Sequence, residues 1–316
     1  MIKLYSHYLL LYSFLAIPSL YAQIRDCKPE QLENIEVAKI LMDYRGPLYV
    51  NYFNKLKDRP KYNRFKGELF LGGDDNFSHT FLYYEPKNIK GASSPLLLIY
   101  SGIGGITKLE KYMAKFFVEK GYSVVVSHFL QAENLHNISR YENTMLRTLK
   151  VGFSLIDFFS SFGTINLNKI GVIGISFGGI RGLYHIALDQ RIKAASLIVA
   201  GAPLEEILVH SKMKQVAEIR EHHMRSLNTL DLDKYKNTLH NKGLLLQDFL
   251  CLRSNSNFLL FISNNDSWVP SRYQWHLWSL LGHPKYEVFK KGHLATPLTV
   301  AFKKLGKIHN FFEENW

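Results

Sequence analysis

Residues 169–179 read KIGVIGISFGG, and the single serine between glycines at the end of that run decides how the rest of the chain is read. The run is small, branched and apolar, then closes on Gly174-Ile175-Ser176-Phe177-Gly178, with Gly179 directly after. A G-x-S-x-G pentapeptide arises by chance about 0.1 times in a chain of this composition, so the spacing alone is suggestive and no more. One reading is punctuation, since strands end in small residues anyway. The other is a turn too sharp for bulky neighbours, holding a nucleophilic serine between a buried strand and a helix. Such a serine stands at the helix N-terminus, where backbone N–H groups point at developing negative charge.

Working outward, the flanks fit the second reading. Continuous apolar runs alternate with helical stretches: PLLLIYSG (95–102), a helix over 108–120, YSVVVSHF (122–129), a helix over 144–159, the run 169–176 and a helix from Phe177. KAASLIVAGAP (193–203), NFLLFIS (257–263), a helix over 271–281, YEVFKKGH (286–293) and a helix to Phe312 continue the pattern. Strands that are apolar throughout are buried on both faces, which predicts an α/β fold with a mostly parallel, doubly wound sheet. Two shorter runs before it, GELFLGG (67–73) and HTFLYYEP (79–86), read as antiparallel strands. Residues 204–255 contain no strand-like run and are polar and helix-prone, which predicts a helical cap inserted on the ligand side of the sheet. The expected division is an N-terminal extension over 23–66 and one domain with its cap over 67–316.

A serine hydroxyl needs a base, and a histidine base needs an acceptor for its other nitrogen. Of the 13 histidines, His293 stands apart, because it follows Gly292 at the end of the last apolar run, in KKGHLATP. Asp266 follows the preceding strand in FISNNDSWVP. Ser176, Asp266 and His293 thus each fall just after an expected parallel strand, in the chain order this architecture requires. A glycine-rich turn, Ser101-Gly102-Ile103-Gly104-Gly105, follows the run 95–100. The N–H groups of Ile103 and Phe177 are the expected oxyanion donors, against the plainer reading of a glycine turn and nothing else.

GISFGG, NNDSWVP and KGH, set among these strands, resemble the α/β-hydrolase superfamily, most closely its esterase and dienelactone-hydrolase-like branches, over residues 67–316. The resemblance implies an α/β-hydrolase fold and a serine hydrolase with Ser176 as nucleophile, Asp266 as acid and His293 as base. It implies a small-molecule ester or acyl substrate and neither cofactor nor metal. Lipase, thioesterase, acyltransferase and peptidase share the same triad, and a non-catalytic binding module shares the same scaffold. Two departures are visible. The oxyanion turn has Ser101-Gly102 where His-Gly is common, and the cap matches no assigned pattern.

Other residues carry two readings each. His128 is a pocket wall or an ordinary loop histidine, and Trp268 is a wall of the site or core. His222 and His223 are adjacent, and adjacent side chains on a helix diverge, so no metal is assigned to them. Asn76-Phe77-Ser78 and Asn137-Ile138-Ser139 fit the glycosylation pattern.

Composition bounds the rest. With 316 residues, 47% of them hydrophobic and 21% charged, the chain can bury a large core. Residues 1–22 have the layout of a secretory signal: Lys3, an apolar stretch from Tyr8 to Ile17, Pro18, and Ala22 before the cut, which predicts an exported protein. Cys27 and Cys251 are the only cysteines, and pairing and two free thiols are equally compatible with the sequence. The net charge of +12 falls to +11 without the signal, whose only charged side chain is Lys3. The basic residues are scattered, with no aromatic-interleaved run, so nucleic acid is not expected. Weak association with anionic surfaces is.

Overall fold

The structure is a computed structural model that describes residues 48–71, 77–89, 93–128, 135–242, 250, 253 and 257–316. The expected signal over 1–22, the two cysteines and Asn76 lie outside these residues.

One nine-stranded sheet organises the chain, in the order β1-β2-β3-β5-β4-β6-β7-β8-β9. β1 (Leu48–Asp58), β2 (Tyr62–Leu71) and β3 (Phe77–Pro86) form an antiparallel meander, and β3 also runs antiparallel to β5 (Ser123–Ser127). From there all pairings are parallel: β5 with β4 (Ser94–Tyr100), then β6 (Ile165–Ile175), β7 (Ile192–Ile198), β8 (Phe258–Ser263) and β9 (Lys285–Phe289). The boundary expected at residue 67 needs correction. It falls inside β2, and residues 48–66 are strands hydrogen-bonded into the same sheet, not a separate extension. The sequence carries no clear strand signal for β1, whose alternation is blurred by register shifts at Val50/Tyr52 and Lys55/Lys57.

The apolar runs are explained by the two cores. Along β4, Leu96, Leu98 and Tyr100 face one core while Leu97 and Ile99 face the other. β8 does the same, with Phe258, Leu260 and Ile262 on one side and Leu259 and Phe261 on the other. A strand with both faces covered favours apolar residues on both, so the polar–apolar alternation disappears from its sequence. Helices α1 (Lys108–Glu119), α8 (Ala295–Lys303) and α9 (Leu305–Glu314) cover one face. Helices α2 (Tyr141–Ser160), α3 (Phe177–Leu188) and α7 (Ser271–Leu280) cover the other. The start of α1 is legible in its capping box: Leu109 N–H donates to Thr107 Oγ1 at 3.1 Å and Thr107 N–H to Glu110 Oε2 at 2.8 Å.

Among the described residues between β7 and β8 are the helices α4 (Leu204–His210), α5 (Lys214–Ser226) and α6 (Leu232–Lys242). Their inner side chains Leu204, Ile207, Ile219, Tyr235 and Leu239 join the first core. Arg220 of α5 donates to the carbonyls of Leu208 and Val209 at 3.1 and 2.9 Å, closing the C-terminal end of α4.

Candidate active site

β6, β8 and β9 are parallel, so their carboxyl ends share one edge of the sheet, the edge at which α/β sheets bind ligands. Ser176 follows β6 directly, at φ 56° and ψ −121°, a left-handed conformation that a side chain rarely adopts. Backbone bonds hold it there: Ser176 N–H donates to Ile198 O at 2.9 Å, and its carbonyl accepts from Gly179 N–H at 2.8 Å. Two glycines make the turn possible. A Cβ on Gly174 would stand 2.5 Å from the Gly178 carbonyl oxygen, and one on Gly178 would stand 2.2 Å from Tyr100 O and 2.4 Å from Ser101 O. Those neighbours are backbone and cannot rotate away. Gly178→Ala is therefore expected to cost about 3 kcal/mol or more in urea unfolding. Gly306→Ala, which meets nothing within 4 Å in α9, serves as control and should be neutral or stabilising. Equal midpoints for the two variants would show that the turn does not need its glycine.

Asp266 and His293 are joined. Asp266 lies on the loop after β8 and His293 on the loop after β9, and His293 Nδ1 donates to Asp266 Oδ2 at 2.7 Å. The other Asp266 contacts are all donors: Trp268 N–H at 2.8 Å and Val269 N–H at 3.0 Å to Oδ1, and Gln274 Nε2 at 2.9 Å to Oδ2. A carboxylate with four donors is held as an acceptor, in one orientation. Gln274 is itself fixed, because its Oε1 accepts from Ser263 N–H at 2.9 Å while Nε2 also donates to Val269 O at 2.7 Å. It is fully buried on α7, and no sequence signal pointed to it, since a glutamine in the first turn of a helix is unremarkable in sequence. The Trp268 ring lies over the His293 ring, 5.0 Å between centroids, so Trp268 is a wall of this site. Among the described residues no direct hydrogen bond links Ser176 Oγ to His293; such bonds are commonly long before substrate binds.

The glycine turn reaches the serine. A side chain on Gly102 would lie 3.6 Å from Ser176 Cβ, and the turn is closed by Gly105 N–H donating to Gly102 O at 3.2 Å. Ile103, next along, is buried, and Phe177 is the first residue of α3. The turn and the helix start thus flank Ser176.

Beside it stands a cation that the sequence reading passed over. Arg181, on α3, is buried with its guanidinium 4.0 Å from the centre of the Tyr100 ring. Its Nη1 donates to Ser127 Oγ at 2.9 Å and to His128 O at 3.0 Å. Burial pulls its pKa down to about 10, which leaves it charged at neutral pH. It ties the carboxyl ends of β4 and β5 to α3, and so steadies the turn beside Ser176. An arginine in an otherwise apolar helix, FGGIRGLYHIAL, was the available signal. His128 stacks on buried His79 at 5.0 Å, and burial and Arg181 push both imidazoles below their usual range.

His222 and His223 part company as adjacent helical residues must. His222 stacks on His136 at 4.3 Å, whereas His223 is buried against Tyr235 OH at 3.0 Å. The helices over 204–242 are tied to the loop that carries Asp266 and to α7: Lys212 N–H donates to Ser267 O at 2.9 Å, and Tyr273 OH to Glu206 Oε2 at 3.0 Å. Asn137 accepts from Ser139 N–H at 2.9 Å, capping a short 3-10 helix.

Comparison with solved structures places this architecture. An acetyl xylan esterase from Paenibacillus sp. R4 superposes with a TM-score of 0.66 at 17% identity, covering 92% of this chain and 96% of that one. Acetyl xylan esterase 1 from Thermoanaerobacterium sp. JW/SL YS485 gives 0.66 at 14%, covering 91% and 94%. The fold is the α/β-hydrolase fold. A cold-adapted esterase from an Arctic intertidal metagenomic library also matches, at 0.54 and 18% identity, over 84% of this chain and all of that one. No family model and no curated protein matches the chain.

Proposed function

We propose that this chain is a serine hydrolase that cleaves carboxylic ester bonds through an acyl-enzyme. The observation that carries the reading is the Asp266–His293 pair at 2.7 Å, held at the sheet edge where Ser176 stands on its strained turn. His293 Nε2 takes the hydroxyl proton as Ser176 Oγ attacks the ester carbonyl. The alkoxide of the tetrahedral intermediate is received by backbone N–H groups of Phe177 and Ile103. Collapse expels the alcohol, which leaves with the proton from His293. Water then repeats the sequence in reverse and frees the serine. Asp266 keeps the proton on Nδ1 before attack and stabilises the imidazolium after it. The helices over 204–242 select the substrate. The solved structures named as acetyl xylan esterases make a short acyl group the first to try. Residues 1–22 would direct export, leaving a mature chain that starts at Gln23.

The test is labelling of the purified mature chain with a fluorophosphonate, followed by mass spectrometry of the adduct and a panel of nitrophenyl esters, thioesters and anilides. The expected result is one adduct, on Ser176, with esters of short acids turned over fastest. A well-folded chain that hydrolyses esters but carries its adduct on another serine would remove Ser176 from the mechanism. Neither adduct nor turnover would favour the binding-module reading of the same scaffold.

A further inference from the structure

Ten large hydrophobic side chains are exposed among the described residues, and four of them share one face. Leu294, Leu298 and Phe302, at 62, 46 and 63% exposure, recur every fourth residue along α8 and its N-cap, a stripe about 12 Å long. Tyr112 of α1, 44% exposed, continues the stripe with its ring 5.0 Å from that of Phe302. The stripe is not misplaced core, since the opposite side of α8 already buries Thr296 and Val300 and that of α1 buries Met113, Ala114 and Phe117. Lysines flank it in sequence. Lys108 and Lys111 on α1, Lys303 on α8 and Lys290 on the loop before α8 are exposed, and none has a carboxylate partner among the described residues. The acids of α1 are engaged elsewhere: Glu110 is buried in the capping box, and Glu119 pairs with Lys61 and Lys115. The two helices also begin at the candidate active site. Leu294 directly follows His293, and α1 follows the turn 101–105.

We propose that this face docks on an anionic lipid surface, with Leu298, Phe302 and Tyr112 entering the boundary between headgroups and acyl chains and the four lysines meeting lipid phosphates. An amphipathic face of aromatic and aliphatic tips flanked by lysines is the chemistry such a boundary rewards. A soluble anionic polymer would reward the lysines but not the exposed phenylalanine and leucines. A second copy docked about a two-fold axis would set the flanking lysines against their own kind. Docking sets the sheet face covered by α1 and α8 against the lipid, with the helix starts beside Ser176 and His293. The inference goes beyond the hydrolase reading and does not depend on it.

The test is co-sedimentation of the full chain, at about 0.15 M salt, with vesicles of phosphatidylcholine alone and of phosphatidylcholine mixed with phosphatidylglycerol. The chain is expected to bind the mixed vesicles and to bind phosphatidylcholine more weakly. L298S/F302S should lower the affinity about tenfold or more, and each lysine exchanged in K108Q/K111Q/K290Q/K303Q should lower it about fivefold. Circular dichroism and hydrolysis of a soluble nitrophenyl ester should not change in either variant. Failure of the wild type to bind the mixed vesicles overturns the proposal. So does binding that survives both variants, which would move it to another part of the chain. A dimer that L298S/F302S dissociates, without lipid binding, would assign the face to a second copy instead. None of these outcomes touches the nucleophile assignment, which labelling reads separately.

Discussion

Ser176→Ala is expected to lower kcat for a short nitrophenyl ester by about 10⁴-fold or more, with the melting temperature moving by no more than about 3 °C. The loss is large because the proposed reaction has no other bond to the acyl group. The remaining oxyanion donors and binding contacts can only assist slow attack by water. The stability is spared because the bonds that hold residue 176 are made by its backbone: the N–H to Ile198 O at 2.9 Å and the carbonyl from Gly179 N–H at 2.8 Å and Ile180 N–H at 3.3 Å. Alanine keeps these, and the positive φ of 56° strains alanine as much as serine. Steady-state kinetics and differential scanning calorimetry on the same preparation separate the two effects. Retention of more than about a tenth of the wild-type rate would show that ester cleavage takes place without this hydroxyl.

Asp266→Asn is expected to reduce kcat about 10³- to 10⁴-fold and to leave KM nearly unchanged. The hydrogen bonds decide how the asparagine must sit. Trp268 N–H and Val269 N–H both point at Oδ1, so the amide oxygen of the variant is held there. Its NH₂ then occupies the place of Oδ2, facing His293 Nδ1 and Gln274 Nε2. Gln274 cannot turn to accept, because Ser263 N–H and Val269 O hold its amide in one sense. The new NH₂ therefore donates to His293 Nδ1 and drives the imidazole proton to Nε2, the nitrogen that must be free to take the serine proton. Substrate contacts are untouched, which is why the loss belongs in kcat. Kinetics across pH on the variant are the check. A decrease of less than about tenfold would mean that some other acceptor orients His293.

Much of this was legible before any coordinates. The doubly wound sheet was visible because strands covered on both faces send apolar side chains to two cores, as the central residues of β4 through β8 all do. Asp266 and His293 were visible because a short loop after a parallel strand has only one edge of the sheet to occupy. β1 was not visible. It pairs only with β2, at the edge of the sheet, and its alternation is broken twice by register shifts.

The sequence by itself determined the layer order of the fold and the residue types brought to its carboxyl edge, since both follow from local pattern and from the rule that parallel strands end together. Only the tertiary structure decided which groups hold those residues in working orientation. Gln274 reaches Asp266 across the turn between β8 and α7, Arg181 reaches Ser127 and His128 across two strands, and Phe302 meets Tyr112 from a helix at the other end of the chain. Each is a contact between residues whose separation in sequence carries no period. The physical reason is that orientation comes from close packing in three dimensions, which local pattern does not encode.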